Sequence, residues 1–264
     1  MSQGIYLFCL TPENPLLKIE GAGIDESQPL YAERVAGVVA ILASVSLEEF
    51  CGAEAREKMA ELPWVAPRAR RHEEVILAIQ RQAPVLPVRF GSVFSSREAL
   101  VAAIERHSET LAHFFRETAG QQEWALKAFV DKPQAKSRLM SERRVAEQAQ
   151  LNKLSPGKRY LFEQKLKGLV AQEITSWLNT IAAELILFFK DVFSASGEGR
   201  LLSQELTGRS EEMFAHVVLL VPDDAAERLQ QLTDEWNARH ETMGLLLEAS
   251  GPWPPYHFTP VLEM

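Results

Sequence analysis

The sequence predicts an α+β fold in two domains, and three observations carry that prediction. The chain has 264 residues, more than a single core ordinarily organises. Short β-prone runs alternate with helical patterns in both halves. From Trp124 onward the order is strand, helical insertion, weak strand, strong strand, helix, strand. This is the βαββαβ order of a ferredoxin-like unit whose first helix is enlarged into a hairpin. The expected domains are 1–120 and 121–264, with the helical hairpin at about 134–193; the Trp124 strand itself fits either one.

Ile5–Leu10 is apolar and β-prone and stops at the breaker group Thr11-Pro12-Glu13-Asn14-Pro15, so it reads as the first strand. Leu16–Glu20 reads as a second extended segment, and Tyr31–Val45 as a hairpin around Gly37–Ala40. Ser46-Leu-Glu-Glu49 has the form of a capping box opening a helix to about Leu62. Pro63 and Pro67 are expected to end that helix, with a new one from Ala69 to Gln82. Pro84-Val-Leu-Pro-Val-Arg-Phe-Gly91 reads as a strand whose two prolines place it at an edge or beside a bulge. Ser95-Ser-Arg-Glu98 opens a helix to about Thr118, with Leu100, Ile104, Leu111 and Phe115 inward.

Trp124–Val130 alternates as a strand. A helix over Gln134–Leu151 follows, and then Ser155-Pro156 supplies an N-cap and a first-turn proline for a helix to Phe193. Along it Ile174, Leu178, Ile181, Leu185, Phe188 and Val192 step by four and three, the spacing of a coiled-coil seam. Leu201-Leu202 suggests a short strand after a loop over Ser194–Arg200. Met213–Val221, MFAHVVLLV, reads as a strand buried on both faces. Asp224 and Glu227 form a capping box for a helix to about Glu241, and Met243–Glu248 closes the sheet. Gly251–Phe258 then holds three prolines and three aromatics in eight residues. Such a segment is neither helix nor interior strand, yet it is too apolar to hang free, so it must dock.

Charge and composition exclude several classes. A net charge of −8 argues against nucleic acid as the default partner, and no apolar run approaches the roughly 20 residues a membrane helix requires. The N-terminus lacks the basic start of a signal peptide, so a cytoplasmic location is expected. Charge is unevenly spread. Lys132–Lys167 carries ten Lys or Arg against three Glu, a local +7, and Gln204–Glu248 carries ten acids against three Arg, a local −7. Two solvated faces that offset each other outweigh an anion-binding patch.

No catalytic, cofactor or metal constellation emerges. His72-Glu-Glu-Val-Ile76 begins like a zinc-protease helix, but Ile76 stands where the second histidine belongs. The six histidines are otherwise scattered, with a polar surface position the default for each. Cys9 and Cys51, the only cysteines, lack metal or disulfide spacing and read as buried inert thiols. No phosphate-binding glycine loop is present, and the strands lack RNA-binding aromatic motifs. Arg68, Arg70, Arg71 and His72 form a basic cluster at an expected helix start, where positive charge opposes the macrodipole.

Three stretches together resemble one family: YLFCL at Tyr6–Leu10, HEEVILAIQRQAPVLPVRFGSVF at His72–Phe94, and GPWPPYHF at the end. EWALKAFV and Lys158–Leu161 are also similar. On these residues the chain resembles the GvpF/GvpL family of gas vesicle proteins over almost its whole length. The resemblance implies a modified ferredoxin-like N-terminal domain and a second α/β domain with a coiled-coil feature. It implies a non-enzymatic minor component or assembly factor of the gas vesicle in the cytoplasm. Its implied partners are the shell protein GvpA and other accessory proteins, with no cofactor, nucleic acid or membrane. The competing readings are an enzyme with a site assembled between the domains and a nucleic-acid binder using 132–167. Partner contacts are expected at Arg68, Arg70, Arg71, Trp253 and Tyr256, although core packing outweighs contact for the two aromatics. The tail is expected to fold back toward the PVLPVRFG strand, with Trp253, Tyr256 and Phe258 as a clasp between the domains.

Overall fold

A computed structural model describes residues 3–193 and 195–262. Contacts divide them into two compact units, one running to Gln122 and resuming at Pro252, the other spanning Glu123–Gly251. The tail, assigned from sequence to the second domain, therefore clusters with the first. The chain re-enters that unit at the end of the last strand of the second sheet.

In the first unit β1 (Gln3–Pro12), β2 (Leu30–Val35) and β3 (Val38–Ser46) form an antiparallel sheet in the order β2-β3-β1. The β2–β3 loop is just Ala36-Gly37, both at positive φ (48° and 80°), the two-residue turn whose twist matches its strands. The register of β1 on β3 slips between Leu7 and Cys9. The slip inserts Phe8 as an extra residue, so Phe8 and Cys9 both face one core while Leu7 and Leu10 face the other. The sheet is thus buried on both sides.

One side is covered by α3 (Leu62–Gln80) through Val75, Ile76 and Ile79. The other is covered by α4 (Arg97–Arg106) and α5 (Ser108–Glu117) through Leu100, Ile104, Leu111 and Phe114. The short strands β4 (Leu86–Pro87) and β5 (Val93–Phe94) pair with β1. β4 lies at the sheet edge, where a proline's missing donor costs least.

Several expectations for this unit are corrected. Leu16–Glu20 is not a strand, and only an isolated bridge between Ala22 and Pro29 follows it. The first helix is interrupted into α1 (Leu47–Phe50) and α2 (Ala53–Ala60) by Gly52 at φ 98°, and Ser46 makes no side-chain cap. Pro63 and Pro67 do not end a helix. Pro63 lies in the first turn of α3, where its missing N–H is unneeded, and Pro67 forfeits one bond inside it. The predicted single helix to Thr118 breaks at His107 into α4 and α5, and its cap is Ser96, which accepts from Ala99 N at 3.2 Å.

In the second unit β6 (Gln121–Val130) leads into a helical excursion of α6 (Lys132–Ala146), α7 (Gln148–Leu151) and α8 (Pro156–Lys190). Then come β7 (Ala195–Glu198), α9 (Gln204–Thr207), β8 (Glu212–Pro222), α10 (Ala226–His240) and β9 (Leu245–Trp253). The sheet order β7-β8-β6-β9 is that of a ferredoxin-like sheet. β8 is interior, and Val217–Val221 is buried throughout, as its apolar run predicts. The predicted strand at Leu201-Leu202 is coil; β7 forms instead within the segment read as a loop, paired antiparallel with β8. Asp224 does not cap α10, whose N-cap is Ala225.

The 35 residues of α8 span about 52 Å. Ile174, Leu178, Ile181, Leu185 and Phe189 join Leu229, Leu232 and Trp236 of α10 over the sheet. The predicted seam drifts at its end. Phe189 takes the buried place expected for Phe188, because 3.6 residues per turn outruns a strict heptad, and the helix expected to reach Phe193 ends at Lys190, leaving Val192 past its end and exposed. α6 lies along α8, bridged by Arg143–Glu173 at 2.8 Å and Arg144–Glu163 at 3.3 Å. No described helix is long and apolar enough to cross a membrane.

Candidate functional site

Three of the five sequence-predicted contact residues, Arg68, Arg70 and Arg71, lie on α3. Because α3 begins at Leu62, Arg68, Arg70 and Arg71 lie inside it rather than at its start, so the macrodipole argument does not apply. Arg70 is the most solvent-exposed and pairs with Glu74 one turn on (2.9 Å). Arg71 reaches Glu74 at 3.4 Å and donates to the Ala22 carbonyl at 2.5 Å, tying α3 to the loop before β2. Arg68 turns back over the Trp64 ring, 4.3 Å from its centroid, and donates to the Trp64 carbonyl. The cations that looked free in sequence are compensated within the unit, and Arg70 alone presents most of its side chain to solvent.

The C-terminal tail docks beside them. Tyr256 donates its hydroxyl to Glu73 of α3 at 2.5 Å, and Leu262 packs against the cluster of Leu86, Val88 and Phe94. Thr259–Leu262 and Leu86–Arg89 line a cavity of about 270 Å³, so the tail does reach the PVLPVRFG segment. Trp253 and Tyr256 are not core residues, contrary to the reading that favoured core packing; they remain 41% and 37% exposed. Trp253 ends β9, and after Pro254 and Pro255 the chain makes a single 3-10 turn over Tyr256–Phe258, with both rings left at the surface. Burial and the Glu73 carboxylate push the Tyr256 hydroxyl pKa up, so the phenol stays protonated and donates.

Beneath this face lies a polar network that sequence reasoning missed. His72 is buried rather than a surface histidine. Tyr6 donates its hydroxyl to His72 Nδ1 at 3.0 Å, His72 Nε2 donates to the Val88 carbonyl at 3.1 Å, and Gly91 N donates to the Tyr6 oxygen at 3.1 Å. These roles require the neutral Nε2–H tautomer. Burial lowers the His72 pKa to about 4, against a smaller opposing effect of the Val88 carbonyl. The network fastens the turn after β4 to both β1 and α3, and so sets the surface on which the tail lies. Its signal was in the sequence: His72 precedes Val75, Ile76 and Ile79 by three, four and seven residues, which puts it on the buried stripe. Tyr6 had no comparable signal.

Burial raises the Cys9 thiol pKa, opposite to what a nucleophile needs. Cys51 is exposed rather than buried, in the bend between α1 and α2. Among the described residues no group of three metal-ligating side chains converges. The arrangement offers aromatic edges, one exposed guanidinium and a rigid backing, the makings of a protein contact.

Comparison with known proteins agrees with this architecture. The family described as Gas vesicle synthesis protein GvpL/GvpF matches residues 4–260. Gas vesicle protein L of Streptomyces sp. (strain CB03234) is 22% identical over 260 residues, covering 98% of this chain and 93% of that protein. Gas vesicle protein L1 of Halobacterium salinarum is 23% identical over 270 residues, covering 98% and 92%. Among solved structures, gas vesicle protein GvpF from Anabaena sp. PCC7120 superposes with a TM-score of 0.73 at 18% identity, covering 98% of this chain and 99% of that one. GvpF from Microcystis aeruginosa gives 0.64 at 17% identity over the same shares. These structures share the two-domain α+β fold. With the family match running through both units, from β1 to the docked tail, the chain belongs to the GvpL/GvpF family of gas vesicle synthesis proteins.

Proposed function

We propose that this gas vesicle protein is a non-enzymatic accessory or minor structural component. It binds the shell protein GvpA together with other accessory proteins, and supports nucleation and assembly of the vesicle within the cytoplasm. The observation that carries this reading is the family match over residues 4–260, which takes in all of α3 and the tail through Pro260. That surface supports it physically. Trp253 and Tyr256 are 41% and 37% exposed, Tyr256 is bonded to Glu73 on the helix that carries the exposed Arg70, and aromatic residues and arginine are the types enriched where proteins meet.

The test is capture of purified GvpA by the immobilised full chain, alongside a W253A/Y256A variant that circular dichroism shows to be folded at the assay temperature. Capture by the native chain that weakens in the variant is expected. Failure of the folded native chain to retain GvpA would overturn the proposal.

A further inference from the structure

The distal half of α8 carries two apolar stripes on opposite sides. Leu166, Val170 and Ile174 form the buried one. Leu161 and Leu169, with the half-buried Phe162 beside Leu161, form the other, and they are 68% and 37% exposed. At 100° per residue, Lys165 lies about 180° around the helix from Ile174. Lys158, Leu161, Lys165 and Leu169 therefore make one outward stripe stepping by three and four residues. Beyond Leu169 the same face turns polar at Gln172, Ser176 and Thr180, so the stripe is confined to the tip of the hairpin.

The charge at this tip is uncompensated. Of the ten cations in Lys132–Lys167, Lys132, Arg138, Arg143 and Arg144 are paired with Glu212, Glu142, Glu173 and Glu163. Among the described residues no ion pair reaches Lys153, Lys158, Arg159, Lys165 or Lys167, all of them exposed.

We infer that the outer face of α8 over residues 158–169 is a docking site for an acidic amphipathic helix of a partner protein. The exposed leucines would enter its apolar seam and Lys158 and Lys165 would flank it, as charges flank a coiled-coil interface. Charge decides the occupant. A second copy presenting the same face would oppose lysine to lysine, which disfavours symmetric pairing. Leu161 to Leu169 spans only about 12 Å, too narrow for the broad apolar face with which helices lie on lipid. A nucleic acid would meet the lysines but leave both leucines in water.

Fluorescence anisotropy with the full chain tests this. The probe is a labelled synthetic helix with Leu at heptad positions a and d and Glu at e and g. Its counterpart with Lys at e and g, phosphatidylserine vesicles and duplex RNA serve as comparisons. Binding of the Glu helix is expected, weakened about tenfold or more by L161E/L169E. K158E/K165E is expected to lose the Glu helix and gain the Lys helix. All four side chains are exposed, so circular dichroism should show helix content unchanged. If L161E/L169E fails to fold, the charge exchange decides alone. Glu-helix binding indifferent to both variants would overturn the inference, as would no Glu-helix binding alongside vesicle or RNA binding that these substitutions abolish.

Discussion

Two basic regions that look alike in sequence behave oppositely in the fold. On α3, Arg70 and Arg71 converge on Glu74 while Arg68 stacks on Trp64. At the tip of α8, Lys158 and Lys165 stand beside exposed leucines with no acid in reach among the described residues. The difference lies in where the acids fall. Glu74 follows Arg70 and Arg71 by four and three residues on the same helix, whereas Glu163, the one acid between Lys153 and Lys167, is taken by Arg144. A run of cations becomes binding surface only where the local sequence fails to neutralise it.

The contrast can be broken first on α8, whose two stripes should respond differently. Leu178→Ala removes a side chain packed over the sheet and should cost about 2–5 kcal/mol in denaturant unfolding. Leu161→Ala on the outward stripe should change stability by less than about 0.5 kcal/mol. Equal losses would mean the outward stripe is packed.

The next effect lies beneath α3. His72 titrates at about 4 when folded against 6.5 in its ordinary state. Between those values the unfolded chain binds more protons. Stability contributed by neutral His72 is therefore complete above pH 6.5 and is lost as pH falls toward 4, by up to roughly 3 kcal/mol. His72→Gln should flatten the unfolding free energy across that window while lowering it at pH 7. A slope that survives the substitution would locate the proton uptake elsewhere.

A smaller effect is expected where the tail docks. Tyr256→Phe removes the bond to Glu73 at a partly exposed position and should cost about 0.5–1.5 kcal/mol. Arg70→Ala should be smallest, with no resolvable shift in melting temperature at any salt concentration, because its pair with Glu74 lies in solvent.

Much of the second unit was legible in advance. Its βαββαβ order, the seam from Ile174 to Leu185 and the doubly buried β8 follow from periodicity and apolar runs that act locally. The first unit was harder to read. Its turns depend on features no window reports: the bulge at Phe8, the positive φ at Gly52, and a helix that tolerates Pro67 because α3 is held by packing on the sheet. The candidate site was legible only in part. The arginines and tail aromatics were visible as residue types, and the pairs of Arg70 and Arg71 with Glu74 are within reach on any helix starting at Ala69, but the Tyr256–Glu73 bond joins positions that only the fold brings together. His72 lies on the same stripe as Ile76 and Ile79, and its burial follows from that spacing rather than from the polar residue type that suggests a surface position.

The central claim, that this family member serves gas vesicle assembly through protein contacts, is most directly tested in a vesicle-forming host. The gene would be deleted and then restored, and vesicles counted by electron microscopy. The account predicts that vesicles are lost or sharply reduced on deletion and return with the native chain. Vesicles of normal number and shape in the deletion strain would contradict it.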